Sequence, residues 1–179
     1  MGETPVLRLW LMRFAFVALA LVIMFFHLIP LETVPRRWAS PDLLVAFCFA
    51  WALRRPEYVP AISIAGIMLL ADMLFQRPPG LWSALTLIAV ELLKSGVGRQ
   101  RENTFLLEWM SVAGTLLLIT LIYRFVLAVL MVSEGAMWLG MVQYSMTILL
   151  YPVVVLVSQL VFGIRRPAPG DLERRGKVA

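Results

Sequence analysis

Four ionisable residues interrupt long apolar runs: Asp72, Glu91, Glu108 and Arg124. A charge in hydrocarbon is costly, so each is a candidate for an ion pair, a proton path or a ligand contact. Asp72 and Arg124 lie deepest. At helical rise, Asp72 is roughly 21 Å from the start of its run at Tyr58, and Arg124 roughly 29 Å from the start of its own at Phe105. If both runs leave the same surface, the two charges reach comparable depths and can face each other as a pair. The competing reading is that each snorkels separately to the outer interface. Glu91 and Glu108 fall within a turn or so of the opposite surface, where Lys94, Arg54 or Arg55 can pair with them. Arg54, Arg55 and Glu57 sit at one chain junction as Arg-Arg-Pro-Glu. Asp42 follows Ser40-Pro41, which reads as serine cap, proline at the first helical position and an acidic first turn. Gln143, Thr147, Tyr151 and Ser158 form a polar stripe along one apolar run. Such a stripe calls for a helix neighbour, within the bundle or from a partner.

Motifs for enzymatic chemistry are missing. The sequence has no paired-histidine metal motif, no cysteine cluster, no phosphate-binding glycine loop and no Gly-x-Ser-x-Gly elbow. Its one histidine, His27, cannot supply both a base and metal ligands. It reads as an interfacial side chain at a helix end, with proton handling as the alternative. Asp72 follows Ala71, so the glycine that precedes the buried aspartate of intramembrane aspartyl proteases is absent. Cys48, alone inside an apolar run, is expected to pack as a small hydrophobe. No catalytic residue, cofactor or metal site is expected.

The elements that must position these residues are membrane spans. The chain has 179 residues, 61% of them hydrophobic. Soluble domains run at about 45–50%. The excess comes in long runs, which makes this an all-α polytopic membrane protein. The net charge of +5 does not indicate nucleic acid, because the basic residues cap apolar runs. The expected spans are 9–29, 42–53, 58–75, 81–93, 105–131 and 137–162, joined in one bundle over residues 1–164. The first reads as a retained helix rather than a cleaved signal peptide, with Arg13 snorkelling. The second, at roughly 18 Å, is short for a core near 30 Å. It must thin the bilayer, pack inside the bundle or form a re-entrant hairpin with the third span. Ala61, Ala65, Met68 and Asp72 share one face of the third span, and Ala84, Ile88 and Glu91 one face of the fourth. Gln76-Arg77-Pro78-Pro79-Gly80 is a tight turn, and Pro152 kinks the last span. Residues 165–179 form a basic cytoplasmic tail whose composition reads as disordered.

Six spans with the N-terminus inside place twelve of the sixteen basic residues on the cytoplasmic side. Arg36, Arg37 and Arg77 are then outside. The positive-inside rule favours this arrangement over any with an odd number of crossings before the polar loop at 94–104. Both termini are expected in the cytoplasm.

The residues from Trp38-Ala39-Ser40-Pro41-Asp42-Leu43-Leu44 through Trp51-Ala52-Leu53-Arg54-Arg55-Pro56-Glu57-Tyr58, then Ala71-Asp72 and Gln76-Arg77-Pro78-Pro79-Gly80-Leu81-Trp82, carry a resemblance. This stretch resembles the MreD family of rod shape-determining proteins, in its alphaproteobacterial branch. Outside residues 38–94 the likeness rests on span layout. The resemblance implies a six-helix fold similar to the substrate-binding subunits of energy-coupling-factor transporters. It implies a non-enzymatic scaffold in the bacterial inner membrane that helps to place lateral peptidoglycan synthesis and maintain rod shape. The implied partners are an MreC-like membrane protein, MreB filaments, and the RodA glycosyltransferase with its partner transpeptidase, all in a lipid setting without nucleic acid. A small-molecule carrier or transporter substrate-binding subunit is the main alternative, and a general membrane anchor the plainest one.

Overall fold

Proline, glycine and charge break the apolar sequence, and the described residues form six α-helices. A computed structural model describes residues 5–29, 40–97, 105–132 and 137–163. These contain α1 (Pro5–Leu28), α2 (Leu43–Arg54), a 3₁₀ turn (Pro56–Tyr58), α3 (Ala61–Leu74), α4 (Leu81–Val97), α5 (Phe105–Val129) and α6 (Met137–Phe162). The described residues contain no strand. The proline-rich linker, most of the polar loop after α4, the Ser133-Glu134-Gly135 turn and the basic tail lie outside them.

α2 is the axle. Every residue from Leu44 to Arg54 is buried. A helix that is apolar all round belongs inside a bundle, and this one is enclosed by its neighbours. Around it α1 packs on α3, α3 on α4, α4 on α5 and α5 on α6, while α2 itself touches α1, α4 and α6. The enclosing helices bury narrower stripes. On α5 the buried positions are Glu108, Val112, Leu116, Ile119, Tyr123 and Leu127, which follow a three-to-four-residue repeat. Their outer faces leave large apolar side chains exposed, among them Phe14, Phe25, Leu121, Phe125, Met141 and Leu160. A soluble surface does not carry so much contiguous hydrocarbon.

Successive helices alternate in direction. Arg13, early in α1, donates to the Glu57 carbonyl before α3, while His27 and Phe75 meet at the far ends of both. α1 and α3 therefore run the same way. Asp42 starts α2 beside Thr147, and Trp51 near its end meets Ser158, so α2 and α6 run together. Lys94, late in α4, reaches the Val59 carbonyl, while Ser83 near its start meets Asp72 near the end of α3. α5 is antiparallel to both neighbours: Tyr123 stacks edge-on against Trp82 of α4. Its Trp109 donates to the Ile148 carbonyl in the middle of α6. The loops thus gather at two ends, one holding Asp42 and one holding Arg54.

Helix boundaries differ from the sequence reading at several points, beginning with α1, which starts at Pro5 rather than residue 9. The third span does not begin as a helix at Tyr58. Pro60 holds φ at −65° and caps α3, and the residue before a proline avoids helical backbone. Ser40 is not the cap of α2. Asp42 is, because its Oδ1 accepts from the Val45 N–H at 3.2 Å. α4 runs on to Val97, past the expected end at residue 93. The shared faces also move. Ala61 is exposed and Ala65 half-buried, while Ile64, Ile67, Met68, Ala71 and Asp72 form the buried stripe of α3. Ala84, Ile88 and Glu91 share an exposed face of α4.

The α3–α4 turn is closed by a Schellman motif. Gln76 adopts φ 55°, the Gln76 N–H donates to the Met73 carbonyl and the Arg77 N–H to the Asp72 carbonyl. The same pattern ends α5, where Met131 has φ 54° and the Val132 N–H reaches the Leu127 carbonyl.

Candidate functional site

At the Arg54 end, the core contains a buried polar cluster, in which only the Arg54 Nε has no hydrogen-bond partner among the described residues. Arg54 is the last residue of α2 and points inward. Its Nη2 lies 3.3 Å from Glu108 Oε1 and 3.5 Å from Oε2. The Tyr151 hydroxyl donates to the same Oε1 at 2.7 Å. Both charged side chains are at most 5% exposed. A buried carboxylate needs this much compensation, and removing either charge strands the other. The cluster joins α2, α5 and α6. Around it, Arg55 pairs with Glu57 at 3.4 Å, and Lys94 pairs with Glu91 at 2.8 Å while donating to the Val59 carbonyl at 2.7 Å. A groove of about 500 Å³ lies alongside, lined by Arg54, Phe105, Glu108, Pro152, Val155, Leu156 and Gln159.

The polar stripe of α6 is used within the bundle. The Thr147 hydroxyl donates to the Gln143 carbonyl at 2.7 Å and accepts from the Asp42 N–H at 2.9 Å. The Ser158 hydroxyl donates to the Val154 carbonyl at 2.7 Å and accepts from the Trp51 indole N–H at 3.2 Å. The two share one logic. Each donor closes on its own helix four residues back, which leaves a lone pair facing a donor on α2. Tyr151 reaches Glu108, and Gln143 lines a cavity at the other end.

At the Asp42 end, the expected pair is replaced by two separate arrangements. Asp72 is completely buried, but its Oδ2 accepts from the Gly80 N–H at 3.1 Å and the Ser83 N–H at 3.0 Å. Its Oδ1 has no hydrogen-bond partner among the described residues. Gly80 and Ser83 open α4, whose first N–H groups have no intrahelical acceptor. A carboxylate there also meets the positive end of the helix dipole. Asp72 therefore ties α3 to α4 rather than to Arg124 of α5. Sequence spacing could estimate its depth but not which neighbour offered donors.

Arg124 instead lines a cavity of about 170 Å³ with Asp42, Arg77, Trp82, Leu116, Thr120, Tyr123, Gly140, Gln143, Tyr144 and Thr147. Its guanidinium lies directly on Gly140, where any Cβ would overlap it. Arg77 bonds Asp42 Oδ2 at 3.3 Å and lies over the Phe75 and Trp82 rings, 5.5 Å from each centroid. Asp42 thus does two jobs: one oxygen caps α2 and the other holds the α3–α4 turn.

Several residues that matter here were not singled out by the sequence. Gly140 extends the Gln143–Thr147 stripe one turn earlier and was legible by that spacing. Trp109 was legible only through Pro152. A proline removes the N–H that would serve the carbonyl four residues back. That carbonyl is Ile148, and the Trp109 indole serves it at 2.9 Å. The Asp42–Arg77 bond joins residues 35 positions apart and left no sequence signal.

Among the described residues, no group of three or more His, Cys, Asp or Glu is placed to hold a metal ion. The structure defines a class: an all-helical protein in which α1, α5 and α6 are long and apolar enough to cross a membrane, with α2 and α3 as shorter apolar helices. No protein-family model matches the chain, nor does any curated protein or solved structure.

Proposed function

We propose that this chain is a non-enzymatic scaffold of the bacterial cell-elongation machinery, akin to the MreD family. On this reading it is a six-span protein of the inner membrane with both termini in the cytoplasm. One observation carries the reading furthest. The residues on which the resemblance rests are the ones that tie the bundle together. Asp42 bonds Arg77, Arg54 bonds Glu108, and Asp72 caps α4. These motifs act as architecture rather than as a reaction centre. They tie α2 to the α3–α4 turn, α3 to α4 and α2 to α5, and leave the outer faces to lipid and partner helices. The partners would be an MreC-like protein, MreB filaments, and RodA with its transpeptidase. Alternating helix directions and the cytoplasmic bias of the basic residues support the six-span topology.

Depletion tests the role. A rod-shaped host should turn round as lateral wall synthesis loses its placement, and the tagged chain should co-purify with wall-synthesis proteins in mild detergent. Unchanged rods after clean depletion refute the scaffold. A carrier or transporter substrate-binding subunit is the second reading, and the cavity beside Arg124 favours it. At about 170 Å³ that cavity is below the roughly 300–1,000 Å³ of pockets for drug-sized ligands, whereas the groove beside Arg54, at about 500 Å³, lies within that range. Reporter fusions at both termini check the topology, since a periplasmic C-terminal signal is incompatible with six spans.

A further inference from the structure

We propose that the groove beside Arg54 seats one ester-linked membrane lipid, its ester carbonyl accepting from Arg54 and its acyl chain lying between α5 and α6. The inference does not depend on the scaffold reading.

Hydrogen bonding comes first. Arg54 donates through Nη2 to both Glu108 oxygens, yet its Nε has no acceptor among the described residues. Arg54 is only 4% exposed and forms part of the groove wall. A buried N–H without an acceptor is costly, so the groove favours a ligand that brings an oxygen. That oxygen need carry no charge. The lining holds one arginine and one glutamate, and these two bond each other. Gln159 adds a neutral amide to the same wall. A carbonyl suits such a lining better than a phosphate, which calls for a surplus of positive charge.

Shape and depth make the ligand a lipid. The polar groups of the groove stand near helix ends. Arg54 is the last residue of α2, Phe105 and Glu108 belong to the first turn of α5, and Gln159 stands three residues before the end of α6. Pro152 is ten residues before that end, roughly 15 Å at helical rise. From Gln159 inward, the side chains of Leu156, Val155 and Pro152 are hydrocarbon. The Glu108 carboxylate does not interrupt this run, because it is bonded by Arg54 and Tyr151 and is only 1% exposed. Leu156 and Phe105 are exposed at the rim, and α5 and α6 are both long and apolar enough to cross a membrane. The groove therefore opens onto the surface that meets bilayer hydrocarbon. An ester carbonyl lies where headgroup gives way to acyl chain, which matches a polar end near the helix termini and an apolar end deeper in.

The test is native mass spectrometry of the full chain in a non-ionic detergent that contains no ester. Two probes are titrated: dioctanoyl phosphatidylcholine and its dioctyl ether analogue, which keeps the headgroup and chain length but lacks both carbonyls. One diester lipid should bind per chain, and the ether about tenfold more weakly, the loss of one hydrogen bond to a charged group. Arg54→Lys keeps the charge for Glu108 but lacks the Nε donor, so its folded form should bind the two probes alike. Leu156→Trp fills the groove from an exposed position. It should melt like the parent and bind the diester about tenfold more weakly. Gln143→Leu, at the other end of the bundle, should bind both probes like the parent. Equal binding of diester and ether by the parent would overturn the proposal. So would parent-like binding by folded Leu156→Trp, or an undiminished diester preference in folded Arg54→Lys. If Arg54→Lys fails to fold, the diester-to-ether ratio of the parent, together with Leu156→Trp, decides the matter.

Discussion

Trp109 of α5 donates its indole N–H to the main-chain carbonyl of Ile148 in α6 at 2.9 Å. Ile148 stands four residues before Pro152, so the N–H that would normally close its bond does not exist. A carbonyl freed by proline at membrane depth must find another donor, and here a neighbouring helix supplies it. The proline in α6 and the α5–α6 contact are thus one feature.

Trp109→Phe should therefore destabilise the bundle by about 1–2 kcal/mol, the cost of leaving a buried acceptor unmade. Pro152→Ala restores the missing N–H, so the same Trp109→Phe change should cost less in that background. A double-mutant cycle on unfolding in detergent measures the difference. Equal costs in both backgrounds would separate Trp109 from the proline.

The Arg54–Glu108 pair should be among the most sensitive sites. Glu108→Ala strands a guanidinium that is almost fully buried and should cost about 3–5 kcal/mol. Replacing both partners with apolar residues of similar volume should recover much of that loss. Folded yield and melting of the two single variants and the double variant check this. A double variant as unstable as the sum of the singles would show that the two groups do not depend on each other.

Asp72→Asn keeps an acceptor oxygen for Gly80 and Ser83, whereas Asp72→Ala removes it. Asn should retain most of the stability, and Ala should lose about 1–3 kcal/mol through the uncapped start of α4. The exchange of Asp72→Arg with Arg124→Asp, which a direct pair would tolerate, should not rescue folding. An arginine at 72 cannot accept from main-chain N–H groups. Recovery of the folded protein by that exchange would restore the direct pair.

Gln76 holds φ 55°, a conformation in which a Cβ is strained. Gln76→Gly should be neutral or stabilising by up to about 1 kcal/mol, and Gln76→Val destabilising. Thermal melting of the two variants tests whether the Schellman turn limits the stability of the α3–α4 junction.

What the sequence determined by itself was the class and the partition into helices. Long apolar runs cannot be read as anything but buried or lipid-facing helices, and prolines, glycines and charges mark their ends. Short-range electrostatics were also legible. Glu91 and Lys94 are three residues apart, a spacing that brings them together on any helix. The Glu108–Arg54 contact was within reach because both fall near the same surface. Tertiary structure decided the rest. Asp72 and Arg124 reach comparable depths, but depth does not say which helices are adjacent or which way each side chain turns. The open N–H groups at the start of α4 lie next to Asp72, and the bare backbone of Gly140 leaves room for Arg124. Local charge spacing cannot anticipate either, because both depend on how α3, α4, α5 and α6 close around α2. The stripe on α6 shows the same division. Its periodicity announced a helix neighbour, and only packing made that neighbour α2 for Thr147 and Ser158, and α5 for Tyr151.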